Sequence, residues 1–320
     1  MSELIPSPVT PAALAATAVE AEAYHSQARA AATLRAYRTD WRAFEAWCAT
    51  HQLTSLPAAP ETVALYITEM ARRAKVSTVT RHLASIAQAH KQQGHDSPTR
   101  AAVVQNVLKG IRRAKGTAPT QKAAAEIAII RAMVEQLDDS LQGVRDRAIL
   151  LIGFAGAFRR SELASLTLAD VQFTNDGLVI TLRRSKTDQE GEGYLKGIPY
   201  GSTLATCPVR ALRAWLDASG ITTGSLFRSV WKGGRRLRPR GLNDRAIAEV
   251  VKRAAAAAGY DPARFSGHSL RAGLATSAGA AGVDERTIME QTGHKTTTMV
   301  RRYIRRGSLF RNNAAAKVGL

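Results

Sequence analysis

Phe265-Ser266-Gly267-His268-Ser269-Leu270-Arg271-Ala272-Gly273 is the stretch on which the reading of this chain turns. His268 and Arg271 are three positions apart and share one face of a helix. Ser266 is a candidate cap that would set both beside the positive end of that helix. A lone histidine at a helix start is usually structural. A histidine paired with an arginine there is what an anionic oxygen selects.

Toward the C-terminus the chain reads Thr292-Gly293-His294-Lys295-Thr296-Thr297-Thr298-Met299-Val300-Arg301-Arg302-Tyr303-Ile304. His294 follows one helix, the threonines can cap the next, and Tyr303 comes late in it. By itself Tyr303 reads as a half-buried core or interface tyrosine. Upstream, an apolar helix from Leu150 runs into Arg159-Arg160-Ser161-Glu162, where Glu162 can orient Arg159 from three residues on. Alone, that spacing is equally that of a weak surface ion pair, and Arg160 competes with Arg159. Between these motifs, Arg183-Arg184-Ser185-Lys186-Thr187-Asp188 ends a strand and enters a hairpin turn. A lysine there commonly protects a sheet edge. Its functional reading is a mobile cation that delivers a proton, with Arg183, Arg184 and Lys196 as alternatives on or beside the same hairpin.

The composition narrows the partner. The 320 residues hold 45 Lys+Arg against 26 Asp+Glu, a formal charge of +19, and nucleic acid is the natural polyanion for such a surface. No apolar run is long enough to span a bilayer and the start lacks a secretory pattern, so a soluble, cytoplasmic protein is expected. Cys48 and Cys207 stand far apart, no HExxH occurs, and neither a disulfide framework nor a metal site is expected. There is no GxxxxGK[ST] phosphate loop and no carboxylate cluster for two metals, so no cofactor is expected.

Period and punctuation divide the chain. Residues 1–24, rich in Ala, Pro, Ser and Thr, read as a flexible arm. Residues 25–115 read as an all-helical domain. Its first helix carries the stripe Leu34, Tyr37, Trp41, Phe44 and Trp47, a second starts at Pro60, a third is capped by Ser77 with Arg81 outward, and a fourth is opened by Ser97-Pro98. Lys109, Arg112 and Arg113 gather near the end of the fourth and, with Arg81, are the candidate nucleic-acid contacts, although a charge run is also the ordinary solvated face. Residues 116–123 (GTAPTQKA) have linker composition, leaving 124–320 as a second domain. There the period shifts to short strands at Asp170–Phe173, Leu178–Leu182 and Tyr194–Pro199, then returns to helices near 207–219, 242–258, 267–281, 284–292 and 297–304.

Taken in order, Arg-x-x-Glu, a strand lysine, Ser-Gly-His-Ser-x-Arg-x-Gly, then Gly-His and a tyrosine nine residues after that histidine resemble the signature of the tyrosine recombinases, the phage-integrase class. The resemblance spans about residues 25 to 320. It implies Arg159, Lys186, His268, Arg271 and His294 as the phosphate-activating set, Tyr303 as nucleophile and Glu162 in support. Ala157-Phe158 stands where the family more often has Gly-Leu.

The implied fold class is mainly α with a small antiparallel β-sheet (α+β), its core-binding and catalytic domains forming a C-shaped clamp on double-stranded DNA. The implied reaction is cofactor-independent cleavage and rejoining through a 3′-phosphotyrosine. It would be carried out by a homotetramer on inverted-repeat sites, with a C-terminal docking tail and with or without accessory proteins. A type IB topoisomerase-like enzyme and a non-catalytic architectural DNA-binding protein are the alternatives.

Overall fold

The computed structural model describes residues 31–308 apart from 119–120, 184–192, 232 and 235, together with positions 14, 15, 17–21, 24 and 318. Most of the expected arm, the tail residues Leu309, Phe310 and Leu320, and both Arg184 and Lys186 lie outside the described residues. The chain divides into two compact units, Met1–Thr120 and Gln121–Leu320.

The first unit contains α1 (Ala31–Thr50), α2 (Pro60–Arg73), α3 (Val76–Gln92) and α4 (Ala102–Lys115). Its core is the aromatic stripe of α1 closed over by the apolar faces of the other three. Phe44 is fully buried among Val63, Ile67, Val79, Ile86 and Val104, with Trp41 and Trp47 packed at the margin. Each such aliphatic side chain removed from water contributes about 1.5–3 kcal/mol, which is what holds helices this short.

Pro60 takes the first position of α2, where its missing N–H has no partner to lose. Ser77 does not cap α3. The helix starts two residues earlier, with Lys75 at the cap position, because the Lys75 carbonyl already accepts from the Thr78 and Val79 amides. Ser97-Pro98 leads into a short 3-10 turn, Pro98–Arg100, before α4 begins at Ala102. α4 ends at Gly116, whose φ of +70° is readily available only without a Cβ.

The second unit runs α5 (Ile127–Glu135), α6 (Leu141–Ala155), α7 (Arg160–Ser165), β1 (Val171–Phe173), β2 (Gly177–Leu182), β3 (Tyr194–Pro199), α8 (Pro208–Ser219), β4 (Arg228–Val230), β5 (Leu237–Gly241), α9 (Asp244–Ala257), α10 (His268–Ala281), α11 (Glu285–Thr292) and α12 (Thr297–Gly307). α6 is its axis: Ala148 to Gly153 are all buried, as a helix apolar on every side must be. Trp215 of α8 is fully buried against the same core and its indole N–H donates to the Leu226 carbonyl.

β1, β2 and β3 form an antiparallel sheet in that order, with Leu182 opposite Tyr194 as the last pair between β2 and β3. β4 and β5 form a second antiparallel pair, between the helices expected near 207–219 and 242–258, where no strand was expected. The sequence conceals it because β5 reads Leu-Arg-Pro-Arg-Gly, which alternates no apolar face. The useful signal there is the turn pair Gly233-Gly234, at φ +101° and +75°.

Candidate active site

Both glycines of the 265–273 stretch are required by a close approach. A Cβ on Gly267 would stand 2.6 Å from the Arg160 Cβ, and one on Gly273 would stand 1.9 Å from the Ala125 carbonyl oxygen. The Ser266 hydroxyl accepts from the His268 amide at 3.3 Å, and the Ser266 amide donates to the Ser269 hydroxyl at 3.0 Å. These contacts fix where α10 starts. They thereby aim Arg271, one turn in, at the end of α6.

Arg271 is 5% exposed. Its Nη1 donates to the Ala157 carbonyl at 2.9 Å, while its Nη2 is buried with no hydrogen-bond partner. Ala157 offers that carbonyl from a left-handed conformation, φ +47°, which costs a residue with a Cβ about 1–2 kcal/mol. That backbone geometry is why glycine suits this position.

Arg159 precedes α7, and Glu162, 3% exposed, holds it from one turn on. Glu162 accepts from the Arg159 amide at 2.8 Å and from its Nη1 at 2.5 Å. Arg160 turns away instead and pairs with Asp244 at 3.1 Å.

His294 follows the left-handed Gly293, φ +61°, which ends α11. The Thr292 hydroxyl gives its one proton to the Ile288 carbonyl at 2.6 Å, so the 2.6 Å contact with His294 is donated by the imidazole Nδ1–H. Nε2 is then the lone-pair nitrogen. Burial, then the charges of Arg271, Arg159 and Lys196, push His294 down to about 4, so it is neutral at pH 7. It becomes a second donor only after taking up a proton.

Tyr303 is half-buried on α12, its ring 6.3 Å from that of His294, and close enough for a phenolate there to favour the charged form of Arg271. α12 lies directly on α10. A Cβ on Gly279 would stand 2.9 Å from the Ile304 Cα, and one on Gly307 would stand 2.3 Å from the Thr276 carbonyl oxygen. Glycines bring the two backbones together, so the helix bearing Arg271 and the helix bearing Tyr303 pack in direct contact.

The structure thus gathers Arg159, Glu162, Arg271, His294 and Tyr303. His268 stands exposed on the first turn of α10, and Lys186 lies outside the described residues. A cavity of about 390 Å³ opens beside the cluster, lined by Arg159, Glu162, Lys196 and His294, with Leu182, Tyr194 and Met289 as an apolar wall.

Lys196 is a member that motif reading ranked only as an alternative. It and Ile198 are the buried residues of β3, so the strand's own alternation points it inward. Burial, then Arg271, push Arg271's neighbour Lys196 down to about 8, and burial, then Arg159, push Arg271 to about 10. Lys196 and Arg271 both keep their protons at pH 7, and Glu162 is the carboxylate that favours their charged forms. Among the described residues no His, Cys, Asp or Glu side chains gather as a metal site.

Such a cluster sets two guanidiniums, an ammonium and a neutral imidazole beside a phenol, an arrangement suited to an anion. Residues 127–308 match the model of the Phage integrase family. Over 286 residues the chain is 41% identical to an "integrase/recombinase xerD homolog" of Selenomonas ruminantium, covering 88% of this chain and 84% of that one. It is 28% identical over 286 residues to the "recombinase cre" of Escherichia phage P1, covering 82% and 81%.

Among solved structures, a lambda integrase(75-356) dimer bound to a COC′ core site shares the fold with a TM-score of 0.61 at 16% identity, covering 89% of this chain and 92% of that one. XerH site-specific recombinase bound to palindromic difH substrate gives 0.58 at 17% identity, covering 81% and 71%. The chain belongs to the phage integrase family of tyrosine recombinases: it is a site-specific recombination enzyme that cuts and rejoins DNA through a tyrosine intermediate.

The contact between α10 and α12 makes a first prediction. Gly279→Val forces α12 off α10 and misplaces the nucleophile while leaving the basic surface unchanged. DNA affinity should hold, and the rate of covalent complex formation should fall by on the order of 10², the effect of a shift of about 1 Å at a reacting centre. A wild-type rate in a quench-flow assay would contradict the packing argument.

Proposed function

We propose that Tyr303 attacks a backbone phosphate of double-stranded DNA, leaving a 3′-phosphotyrosine and a free 5′ hydroxyl. The observation that carries this reading is the buried Nη2 of Arg271, a donor without a partner beside Arg159 and an excess of positive charge. An unmet guanidinium donor costs about 1–3 kcal/mol or more, which an anion bound there would remove.

Arg159 and Arg271 would bind the two non-bridging oxygens, more tightly as charge builds on them. Tyrosine titrates near ~10, so its proton needs an acceptor at neutral pH. His268 takes that role, and the neutral His294, with its Nε2 lone pair, is a second acceptor that afterwards donates to the phosphate. Glu162 holds Arg159 in place. Lys186 gives the departing 5′ oxygen its proton. The ester energy is kept, so rejoining requires no nucleotide cofactor.

Two such units on each of two inverted-repeat sites make a homotetramer, with the tail beyond Gly307 docking in a neighbouring subunit and with accessory proteins where a site demands them. Support for the symmetric site comes from the palindromic substrate in the XerH complex. Among the described residues no helix is long and apolar enough to cross a membrane, and we place the protein in the cytoplasm, on the nucleoid.

The test is capture on a duplex nicked beside the cleavage position, where loss of the short 5′ fragment traps the adduct. A denaturant-resistant complex mapping to Tyr303 on a 3′ phosphate is expected. Relaxation of supercoiled DNA without site preference and without an adduct at inverted repeats would instead indicate topoisomerase-like action.

Grip and chemistry should separate. Lys109, Arg112 and Arg113 are exposed in the last turns of α4. Arg81 is less free, because Asp40, itself 3% exposed, accepts from its Nε at 2.6 Å and its Nη2 at 2.9 Å. Affinity should fall log-linearly with salt, and each of Lys109, Arg112 or Arg113 replaced by Ala should lower the slope by about 1 without changing the cleavage rate of the pre-bound complex. A flat salt response would rule out a phosphate grip.

A further inference from the structure

We propose that Lys196 is a positioning residue for strand cleavage: from behind the phosphate site its ammonium latches the C-terminal end of α11 to β3, so that His294 and the strand that follows Lys186 in the chain are held as one piece. This rests on the reading of Tyr303 and its phosphate site above.

Lys196 is 2% exposed, at a register position opposite Ile180 where the sheet would otherwise place an apolar residue. Burying an ammonium is costly unless its protons are taken up. Here Nζ donates to the Gln291 carbonyl in the last turn of α11, where helix carbonyls lack partners and carry partial negative charge. The rings of Phe158 and Tyr194 each lie 5.4 Å from Nζ, a cation–π distance.

The bond is reciprocated. The Gln291 side chain donates to the Ala155 carbonyl at 2.7 Å and to the Gly197 carbonyl at 3.3 Å, and the Tyr194 hydroxyl donates to the Glu290 carbonyl. Immediately beyond Gln291 stand Thr292, which holds the His294 imidazole, and the turn at Gly293. On the other side, β3 starts at Tyr194, which follows Lys186 by eight positions in the chain.

The charged and titratable groups facing Lys196 are Arg271 from α10, Arg159 and Glu162 at α7, Tyr194 beside it and His294, while Glu290 of α11 acts on Tyr194. Glu162 is the one carboxylate that raises it, and that carboxylate is already held by Arg159. The ammonium therefore gives up its proton near pH 8 in the free protein and later when a phosphate anion is bound.

Lys196→Met keeps the length and removes the charge, and Gln291→Leu cuts the reciprocal bonds. Both should slow single-turnover capture by on the order of tenfold or more at pH 7, with unchanged affinity for the duplex. The double variant should be little slower than the worse single one, as for residues acting through one contact.

The loss should be equal on normal DNA and on DNA with sulfur at the 5′ bridging position, and the ratio of wild-type to Lys196→Met rates should shrink as pH rises from 8 to 10. Amide hydrogen exchange over residues 288–294 should speed up in Lys196→Met, a readout that needs no cleavage. Wild-type exchange and wild-type rates in both variants would overturn the latch. Rescue by the sulfur substrate would make Lys196 a proton donor instead, and a ratio constant with pH would reduce it to packing. Absence of an adduct from the wild type with exchange still faster in the variant would sink the nucleophile reading and leave the latch standing.

Discussion

Tyr303→Phe is expected to bind its duplex like the wild type and to give no covalent complex on the nicked substrate, a fall of several orders of magnitude. Only one oxygen is lost, from a half-buried ring held against Ala275, Ile288 and Val300, so the fold has no reason to change. Binding and cleavage therefore come apart in a single variant, measured by gel shift and by denaturing gel on the same DNA. An adduct from the Phe variant would show that another residue is the nucleophile. A wild type that binds and never cleaves would favour an architectural protein that has kept the fold.

Lys186→Ala should cleave normal DNA more slowly by on the order of 10² or more, the usual effect of losing a general acid. Replacing the 5′ bridging oxygen with sulfur should remove most of that defect, because a thiolate departs without being protonated. The same sulfur substrate should leave Arg159→Ala and Arg271→Ala slow, since those side chains face the non-bridging oxygens. Rescue of all three variants, or of none, would mean that the donor is elsewhere. Arg183 already has a partner, its Nε donating to Asp170 at 2.7 Å, and Lys196 is committed to the Gln291 carbonyl, so Arg184 would be the next residue to examine.

How much of this was legible in the residues depends on how local each feature is. The helices of the first unit followed from stripes such as Trp41, Phe44 and Trp47, because helical period is written in consecutive residues. The three-stranded sheet was legible from its alternation and its turn glycines, with two refinements: the first strand begins at Val171, Asp170 being occupied in holding Thr167, and the second begins one residue earlier, at Gly177. The β4–β5 pair was not, since charge-rich strands without an apolar face carry no period to detect. Ser77 misled for a related reason: a good capping residue does not start a helix when the carbonyl two residues earlier already does.

The candidate site divides in the same way. Sequence alone determined the order and spacing of Arg159, Glu162, His268, Arg271, His294 and Tyr303, because chemistry that needs a guanidinium one turn from a carboxylate or a histidine leaves a fixed interval in the chain. Only the tertiary structure decided that Arg159 and not Arg160 enters the cluster, which nitrogen of His294 keeps its lone pair, that a donor of Arg271 is left unmet, and that Lys196 lies behind them. The contacts that set Arg271 and Lys196 join residues 95 to 136 positions apart, such as Lys196 with Gln291, Arg271 with Ala157 and Gln291 with Ala155. Burial and partner geometry at that range arise from packing, and no interval along the chain records them.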